Sequence, residues 1–230
     1  MHVFSRLGNI VVAPAACFTS IRDEGKRWTD YVVPFVLLIS MMIVFLLLSS
    51  EVMQKEQIST IQGMEQLSPG QKEQAMEQLG SSLVTSMKYT GAIVQVIVSA
   101  LFTALIFWIA GNFVGGGEHP FGTMLVTALY IQVITIPESI LKLLLILQKE
   151  SVNVYLGLAS FVSSPEPGSF GFQFLAQFEF FKIWRIVLWY VAFRILYRYG
   201  TKKSALLVGV PMLLGMLLAA LFSSMSAGRM

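Results

Sequence analysis

The stretch YVVPFVLLISMMIVFLLLS occupies residues 31–49 and carries no charged side chain. Its length matches the roughly 20 apolar residues that a helix needs to cross the hydrocarbon core of a bilayer. Four more mostly apolar stretches follow, at residues 90–114, 121–147, 178–197 and 204–222. Because a helix satisfies its backbone hydrogen bonds internally, as lipid requires, the sequence predicts an all-α integral membrane protein with a five-helix transmembrane bundle.

The composition leaves too little polar material for a soluble protein. Apolar residues make up 55% of the 230-residue chain and charged residues only 13%, against about 25% charged in an ordinary soluble domain. The net charge of +3 is spread along the chain without a block of like charges. This pattern indicates no nucleic-acid partner. We expect residues 1–230 to form a single membrane domain.

Few side chains suited to catalysis are present. The single cysteine, Cys17, rules out an internal disulfide and a cysteine-based zinc site. The two histidines, His2 and His119, fit no metal-binding motif. No nucleophile elbow and no paired aspartates occur. We therefore expect that the protein is not an enzyme and has no catalytic residue, metal site or cofactor.

Two segments outside the spans have amphipathic patterns. Residues 51–88 are rich in glutamine and glutamate, with apolar residues three and four positions apart, which is typical of helices. Ser68, Pro69 and Gln71 provide an N-cap, a proline at the first helical position and a capping box. We expect a water-exposed helical hairpin here, or a pair of helices lying along the membrane, as a spacer in preference to a dedicated binding site. Residues 1–30 are predicted to form an N-terminal amphipathic helix in the membrane interface.

The distribution of lysine and arginine predicts the orientation, because cytoplasmic loops carry an excess of them. With five crossings, seven of these residues fall on the side of the N-terminus and five on the other side. The first set is Arg6, Arg22, Lys26, Arg27, Arg198, Lys202 and Lys203, and the second is Lys55, Lys72, Lys88, Lys149 and Arg229. We therefore expect the N-terminus in the cytoplasm and the C-terminus outside.

Several short motifs occur in an order found in one group of membrane proteins. The N-terminal positions of the pattern are Pro14, Phe18, Ile21, Trp28 and Pro34, the last of which opens the first span. A Ser-Pro-x-Gln stretch with further Gln and Glu occupies residues 68–78, and Glu179, Phe181 and Trp184 open the fourth span. A short basic loop at residues 200–205 precedes the fifth span. Together these motifs resemble the Yip-domain family, in particular its bacterial-type members, over nearly the whole chain.

The resemblance implies a five-span fold and a place in a bacterial inner membrane. Eukaryotic relatives are associated with vesicle trafficking and with prenylated small GTPases. The resemblance thus implies a scaffold or adaptor in membrane organisation or trafficking. Expected partners are membrane lipids, a membrane protein or small-GTPase-like protein, and a second copy of the chain.

Glu138 is a charged residue inside the third predicted span. A charge at mid-span costs about 2.5 to 3.5 kcal/mol on insertion scales, so a partner is expected. Lys142 lies one helical turn later, in the favourable order. Pro137 removes a backbone donor and frees the carbonyl of Val133, which predicts a kink. A structural pair near the membrane boundary is favoured over a pair that lines a polar path.

Glu179, Lys182 and Arg185 follow at spacings of three at the start of the fourth span. Residues of this kind most often mark the headgroup boundary, which is the favoured interpretation. The alternative is that they meet Glu138 inside the bundle and build a relay. In that case the protein would be a small transporter or channel, with a polar path around Glu138, Lys142 and Arg185.

Small residues recur near the ends and faces of the spans. Residues 115–117 are glycines without the preceding strand and the Lys-Ser/Thr ending of a phosphate-binding loop, so they predict a tight turn. Pairs four residues apart predict close helix packing, within the chain or against a second copy. These pairs are Ser99 with Thr103, Gly111 with Gly115, and Gly215 with Ala219.

Overall fold

The computed structural model describes residues 2–162, 166 and 168–227, and most of them are helical. Within this part of the chain the α-helices are α1 (Val3–Val12), α2 (Pro14–Asp23), α3 (Thr29–Gly63), α4 (Pro69–Leu79), α5 (Ser82–Ile109), α6 (Phe121–Gln132), α7 (Thr135–Lys149), α8 (Phe170–Leu175), α9 (Phe180–Leu196) and α10 (Thr201–Ala227). A π-helical turn, Ala110–Val114, extends α5. The prediction of an all-α protein is confirmed.

Four helical segments are long and apolar enough to cross a membrane: Thr29–Gly63, Ser82–Val114, Phe121–Lys149 and Thr201–Ser226. They contain the first, second, third and fifth predicted spans. The fourth predicted span corresponds to α9, which has 17 residues and a length of about 26 Å. A hydrocarbon core is about 30 Å thick, so α9 is slightly short. The count of five crossings stays a prediction.

The segment between the first two spans is helical, with one difference from the predicted hairpin. α3 continues without a break to Gly63, so its 35 residues extend over about 52 Å. One arm of the hairpin is therefore the end of the spanning helix. α4 is the other arm and begins with the predicted capping box, in which Ser68 and Gln71 exchange hydrogen bonds. No residue of α4 is buried, as expected for a solvated spacer.

The N-terminal region contains two helices instead of one. Pro14 is the first residue of α2, where its missing N–H is tolerated but prevents α1 from continuing. α2 packs against α9, and α1 packs against α2 and α3. Phe18 and Ile21 of α2 are buried in the main core. The contacts place both helices on the bundle, and their position in a membrane interface stays a prediction.

Two helix starts differ from the prediction. α3 begins at Thr29, so Pro34 lies inside the helix and not in its first turn. It therefore removes one intrahelical hydrogen bond. The last predicted span begins at Thr201, because a hydrogen bond already joins the Ser204 N–H to the Gly200 carbonyl at 3.0 Å. The predicted basic loop is consequently mostly helical.

The third predicted span consists of α6 and α7, which are separated at Val133 and Ile134. The break lies four residues before Pro137. In a continuous helix the N–H of residue 137 would donate to the carbonyl group of Val133, but proline has no N–H. The Val133 carbonyl is not free, however, because it accepts a hydrogen bond from the Ile136 N–H at 2.9 Å. The break places Glu138 in the first turn of α7.

The main core holds α5, α6 and α9 together with α2. Phe107 of α5 stacks on Trp189 of α9 with ring centroids 3.9 Å apart. Phe193, one turn further along α9, contacts Phe107 edge to face at 5.7 Å. Such aromatic pairs stabilise packing beyond the area that they bury. Because Arg185 lies one turn before Trp189, this core fixes the position of the α9 charges.

Candidate functional site

Five charged side chains, from α7, from α9 and from Glu179 just before α9, meet in one cluster. Glu138 Oε1 lies 3.0 Å from Lys142 Nζ, and Glu138 Oε2 lies 2.6 Å from Arg185 Nη1. Glu179 Oε2 lies 2.9 Å from Lys142 Nζ and 3.9 Å from Lys182 Nζ. The structure thus contains the predicted pair within α7. It also brings Arg185 to Glu138 and Glu179 to Lys142, which is the arrangement that sequence reasoning did not favour.

The two carboxylates are the most buried members of this charged cluster. Glu138 is 7% exposed and Glu179 is 5% exposed. A buried charge is costly unless it is paired and hydrogen-bonded, and each carboxylate here contacts two cations. With three cations and two carboxylates, the cluster has a formal net charge of +1. The pairs connect α7 to α9.

Gly157 positions Glu179 by a close backbone contact. The two residues form an antiparallel bridge, in which the Leu158 N–H donates to the Phe178 carbonyl at 3.2 Å. A Cβ at Gly157 would lie 2.7 Å from Glu179 Cα, so only glycine permits this approach. The bridge therefore holds the backbone of Glu179, whose side chain contacts Lys142.

A cavity of about 570 Å³ adjoins the charged cluster. It is lined by the middle parts of α3, α5, α9 and α10 and by the region where α6 meets α7. Leu38, Met41 and Phe45 of α3 form part of an apolar wall, and Gln95 of α5 and Gln132 of α6 contribute polar groups. Glu138, Lys142 and Arg185 complete the polar side. The arrangement can hold a polar or charged group inside an apolar bundle.

The family-like positions lie outside the charged cluster, except for Glu179. Pro14 begins α2, and Phe18 is buried beneath it. Trp28, just before α3, is 73% exposed, and Pro34 is buried inside that helix. Trp184 is partly buried against the main core. These positions therefore organise helix starts and packing.

Sequence reasoning missed a second buried ion pair, which lies under the N-terminal helices. Arg6 of α1 donates to Asp30 at 2.8 Å and to the Ser20 hydroxyl at 2.9 Å. Asp30 also accepts from the Tyr130 hydroxyl at 2.7 Å and from the Arg27 N–H at 2.8 Å. Arg6 and Asp30 are each 2% exposed. This N-terminal network ties α1 and α2 to α3 and α6.

The glycine-rich turn after α5 contacts the connection between α9 and α10. The Tyr199 hydroxyl donates to the Gly111 carbonyl at 2.7 Å, and Lys203 donates to the Gly115 carbonyl at 2.5 Å. A Cβ at Gly117 would lie 2.6 Å from the Tyr199 hydroxyl oxygen. The close packing predicted from Gly111 and Gly115 therefore occurs within the chain.

The described residues offer neither a metal site nor an activated cysteine. Among the residues that the structure describes, no group of three or more His, Cys, Asp or Glu side chains is placed to hold a metal ion. Cys17 is fully buried in α2. Burial raises the pKa of its thiol to about 12, so the thiol stays protonated and unreactive at neutral pH.

The chain matches the family model of the Yip1 domain over residues 8–222. This range includes α2 to α9, most of α10 and the whole charged cluster. No curated protein and no solved structure matches the chain significantly. Together with the four apolar helices that are long enough to cross a bilayer, the match identifies a multi-pass integral membrane protein. Because the match covers nearly the entire sequence, the chain belongs to the Yip1-domain family.

Proposed function

We propose that this protein is a non-catalytic scaffold or adaptor in membrane organisation or trafficking. The observation that carries the proposal is the N-terminal network, in which the buried pair of Arg6 and Asp30 fixes α1 and α2 to the bundle. A scaffold must present its partner with a surface of constant orientation. Helices that are tied to the bundle by buried hydrogen bonds provide such a surface, whereas a loose tail does not.

A photo-crosslinking experiment tests the scaffold role. A photoreactive amino acid replaces Gln74, an exposed residue of α4, or an exposed residue of α1 such as Phe4. Leu214, an exposed apolar residue of α10, serves as the lipid-facing control. We expect a discrete protein adduct, a membrane protein or a small-GTPase-like protein, from at least one of the first two positions. Lipid adducts alone from all three positions would contradict the proposal.

The proposal includes five crossings, a cytoplasmic N-terminus and an external C-terminus in a bacterial inner membrane. Leu67, between α3 and α4, and Gly200, between α9 and α10, lie outside helices. Truncations fused there to a reporter that works only outside the cytoplasm test this topology. We expect activity after Leu67 and none after Gly200. Activity at both positions would mean that α9 does not cross, and inactivity after Leu67 would reverse the orientation.

The cavity beside the charged cluster favours a second candidate function, a small transporter or channel. Its polar side contains Glu138, Lys142 and Arg185, near the middle of the bundle. Substrate and ion sites of many transporters occupy such a position. Flux into vesicles containing the purified protein, compared among the parent, Glu138→Gln and the exposed control Glu118→Gln, tests this function. Absence of flux in the parent, over a panel of ions and small solutes, would end this candidate.

A further inference from the structure

Arg185 has hydrogen-bonding capacity that the protein does not use. A guanidinium group carries five N–H donors, and Arg185 gives one described hydrogen bond, from Nη1 to Glu138. In the described part of the chain, no buried side-chain nitrogen lacks a partner. The other N–H groups of Arg185 are therefore not sealed inside the protein. They reach the open space on either side of this side chain.

One of these spaces is a groove of about 290 Å³ between α5, α9 and α10. Its charged lining consists of Lys182 and Arg185, and no acidic residue is among the described residues that line it. The Gln177 amide oxygen, which accepts from Lys182 at 3.0 Å, lies at the same groove. The charged lining of the groove is therefore entirely cationic.

The remainder of the groove is apolar. Phe102 and Ile106 of α5 face Met212 and Met216 of α10 across it. Gly215 also lines the groove, and a Cβ added there would have no heavy atom within 4 Å. Arg185 borders both the groove and the cavity beside the charged cluster. The cationic end of the groove thus adjoins its apolar part. This arrangement matches a phospholipid, in which an anionic phosphate adjoins apolar acyl chains.

We propose that this groove binds one anionic phospholipid. Its phosphate accepts charge-assisted hydrogen bonds from Arg185 and Lys182, and one acyl chain lies along α10 at Gly215. A free phosphate ion would satisfy the two cations but would leave the apolar part of the groove empty. The net charge of +1 of the charged cluster favours a lipid with a net negative headgroup over a zwitterionic lipid. This inference stands apart from the scaffold role, because it rests on the groove alone.

Native mass spectrometry of the purified full-length protein tests the proposal. The protein is equilibrated with equal amounts of phosphatidylglycerol and phosphatidylcholine that carry the same acyl chains. We expect one phosphatidylglycerol to be retained, with a preference of about tenfold, because both lipids offer the same phosphate but the choline cation of phosphatidylcholine is repelled by Lys182 and Arg185. Lys182→Gln, which leaves both Glu138 contacts intact, and Arg185→Gln should each reduce this preference severalfold.

Matched variants distinguish the binding of the acyl chain from the binding of the headgroup. Gly215→Leu fills the groove and should reduce retention of both lipids about tenfold. Gly209→Leu on the same helix, where an added Cβ also has no neighbour within 4 Å but which does not line the groove, should bind as the parent does. Arg194→Gln is the charge control on α9. Equal retention of the two lipids by the parent, unchanged binding by Gly215→Leu, or displacement of the lipid by inorganic phosphate would each overturn the proposal.

Discussion

Replacing Asp30 by alanine should release the N-terminal helices from the bundle. The Asp30 carboxylate accepts three hydrogen bonds, from Arg6, from Tyr130 and from the Arg27 backbone. Alanine removes all three and leaves the buried Arg6 guanidinium with only the more distant Glu24 carboxylate, at 3.9 Å, as a counter-ion. Breaking a buried pair in this way costs about 3–5 kcal/mol. We take about 3 kcal/mol, because Arg6 keeps its hydrogen bonds to Ser20.

Cys17 provides the assay for this release. It is the single cysteine of the chain, and burial raises its pKa from 9.0 to about 12. At neutral pH the thiolate is therefore roughly a thousandfold scarcer than on an exposed cysteine. If maleimide reacts only after α1 and α2 open, a loss of about 3 kcal/mol raises the labelling rate about a hundredfold. The rate is measured on purified protein in lipid nanodiscs.

Two further variants calibrate the experiment. Tyr130→Phe removes one hydrogen bond to Asp30, worth about 1 kcal/mol, and should raise the labelling rate about fivefold. Asp23→Ala removes a carboxylate that is 53% exposed and paired with Arg22, and it should leave the rate unchanged. If the Asp30→Ala variant folds and is labelled as slowly as the parent, the N-terminal network does not hold these helices in place.

Three other outcomes follow from buried groups and close contacts. The pKa of the Cys17 thiol is raised in the folded protein. The stability that the protonated thiol contributes is therefore complete below about pH 9 and is lost as the pH rises towards 12. Over this pH range the parent should lose more thermal stability than Cys17→Ala. Gly111→Ala would place a Cβ against the Tyr197 ring and should lower the free energy of unfolding by about 1–3 kcal/mol. The control is Gly91→Ala in α5, where an added Cβ has free space, and it should be neutral or slightly stabilising. Gly157→Ala should lower the unfolding temperature more than either, because the atoms it meets belong to backbone; an unchanged midpoint would contradict the bridge to Glu179.

The pair of Glu138 and Lys142 could be predicted because both residues lie on one helix, where spacing determines proximity. The contacts from α9 could not be predicted in the same way. They require the chain to return to α7 after 37 and 47 positions, which places Glu179 beside Lys142 and Arg185 beside Glu138. No periodicity in the sequence encodes such a return. The sequence therefore favoured the hypothesis that these charges mark the headgroup boundary over the hypothesis that they meet Glu138.

The N-terminal network was missed for a different reason. Arg6 was interpreted as one of several positive charges near the interface, although it precedes the buried Ile10 by one helical turn and so shares the apolar face of α1. Asp30 lies in the first turn of α3, at the edge of the apolar run. A cation on an apolar face and an acid at the start of a span each need a partner. These two charges, each without a partner nearby in the sequence, were the feature from which their pairing could have been predicted.

Both buried charge networks are attached to the third span, on opposite sides of its break. Tyr130 of the N-terminal network precedes Val133, and Glu138 of the charged cluster follows it. The two residues are eight positions apart, which is about 12 Å at the helical rise of 1.5 Å per residue, and the hydrogen bond from the Ile136 N–H to the Val133 carbonyl joins α6 to α7 at the break. At this separation, without shared partners, mutational effects usually add within about 0.5 kcal/mol.

We therefore expect the destabilisation by Tyr130→Phe and by Arg185→Gln to be additive in the double variant, measured by thermal or denaturant unfolding in the same lipid. Additivity would mean that the break isolates the N-terminal helices from the charged cluster and the groove. A coupling above about 0.5 kcal/mol would contradict this independence. It would require α6 and α7 to move as a unit, so that release of the N-terminal helices would change the position of Glu138.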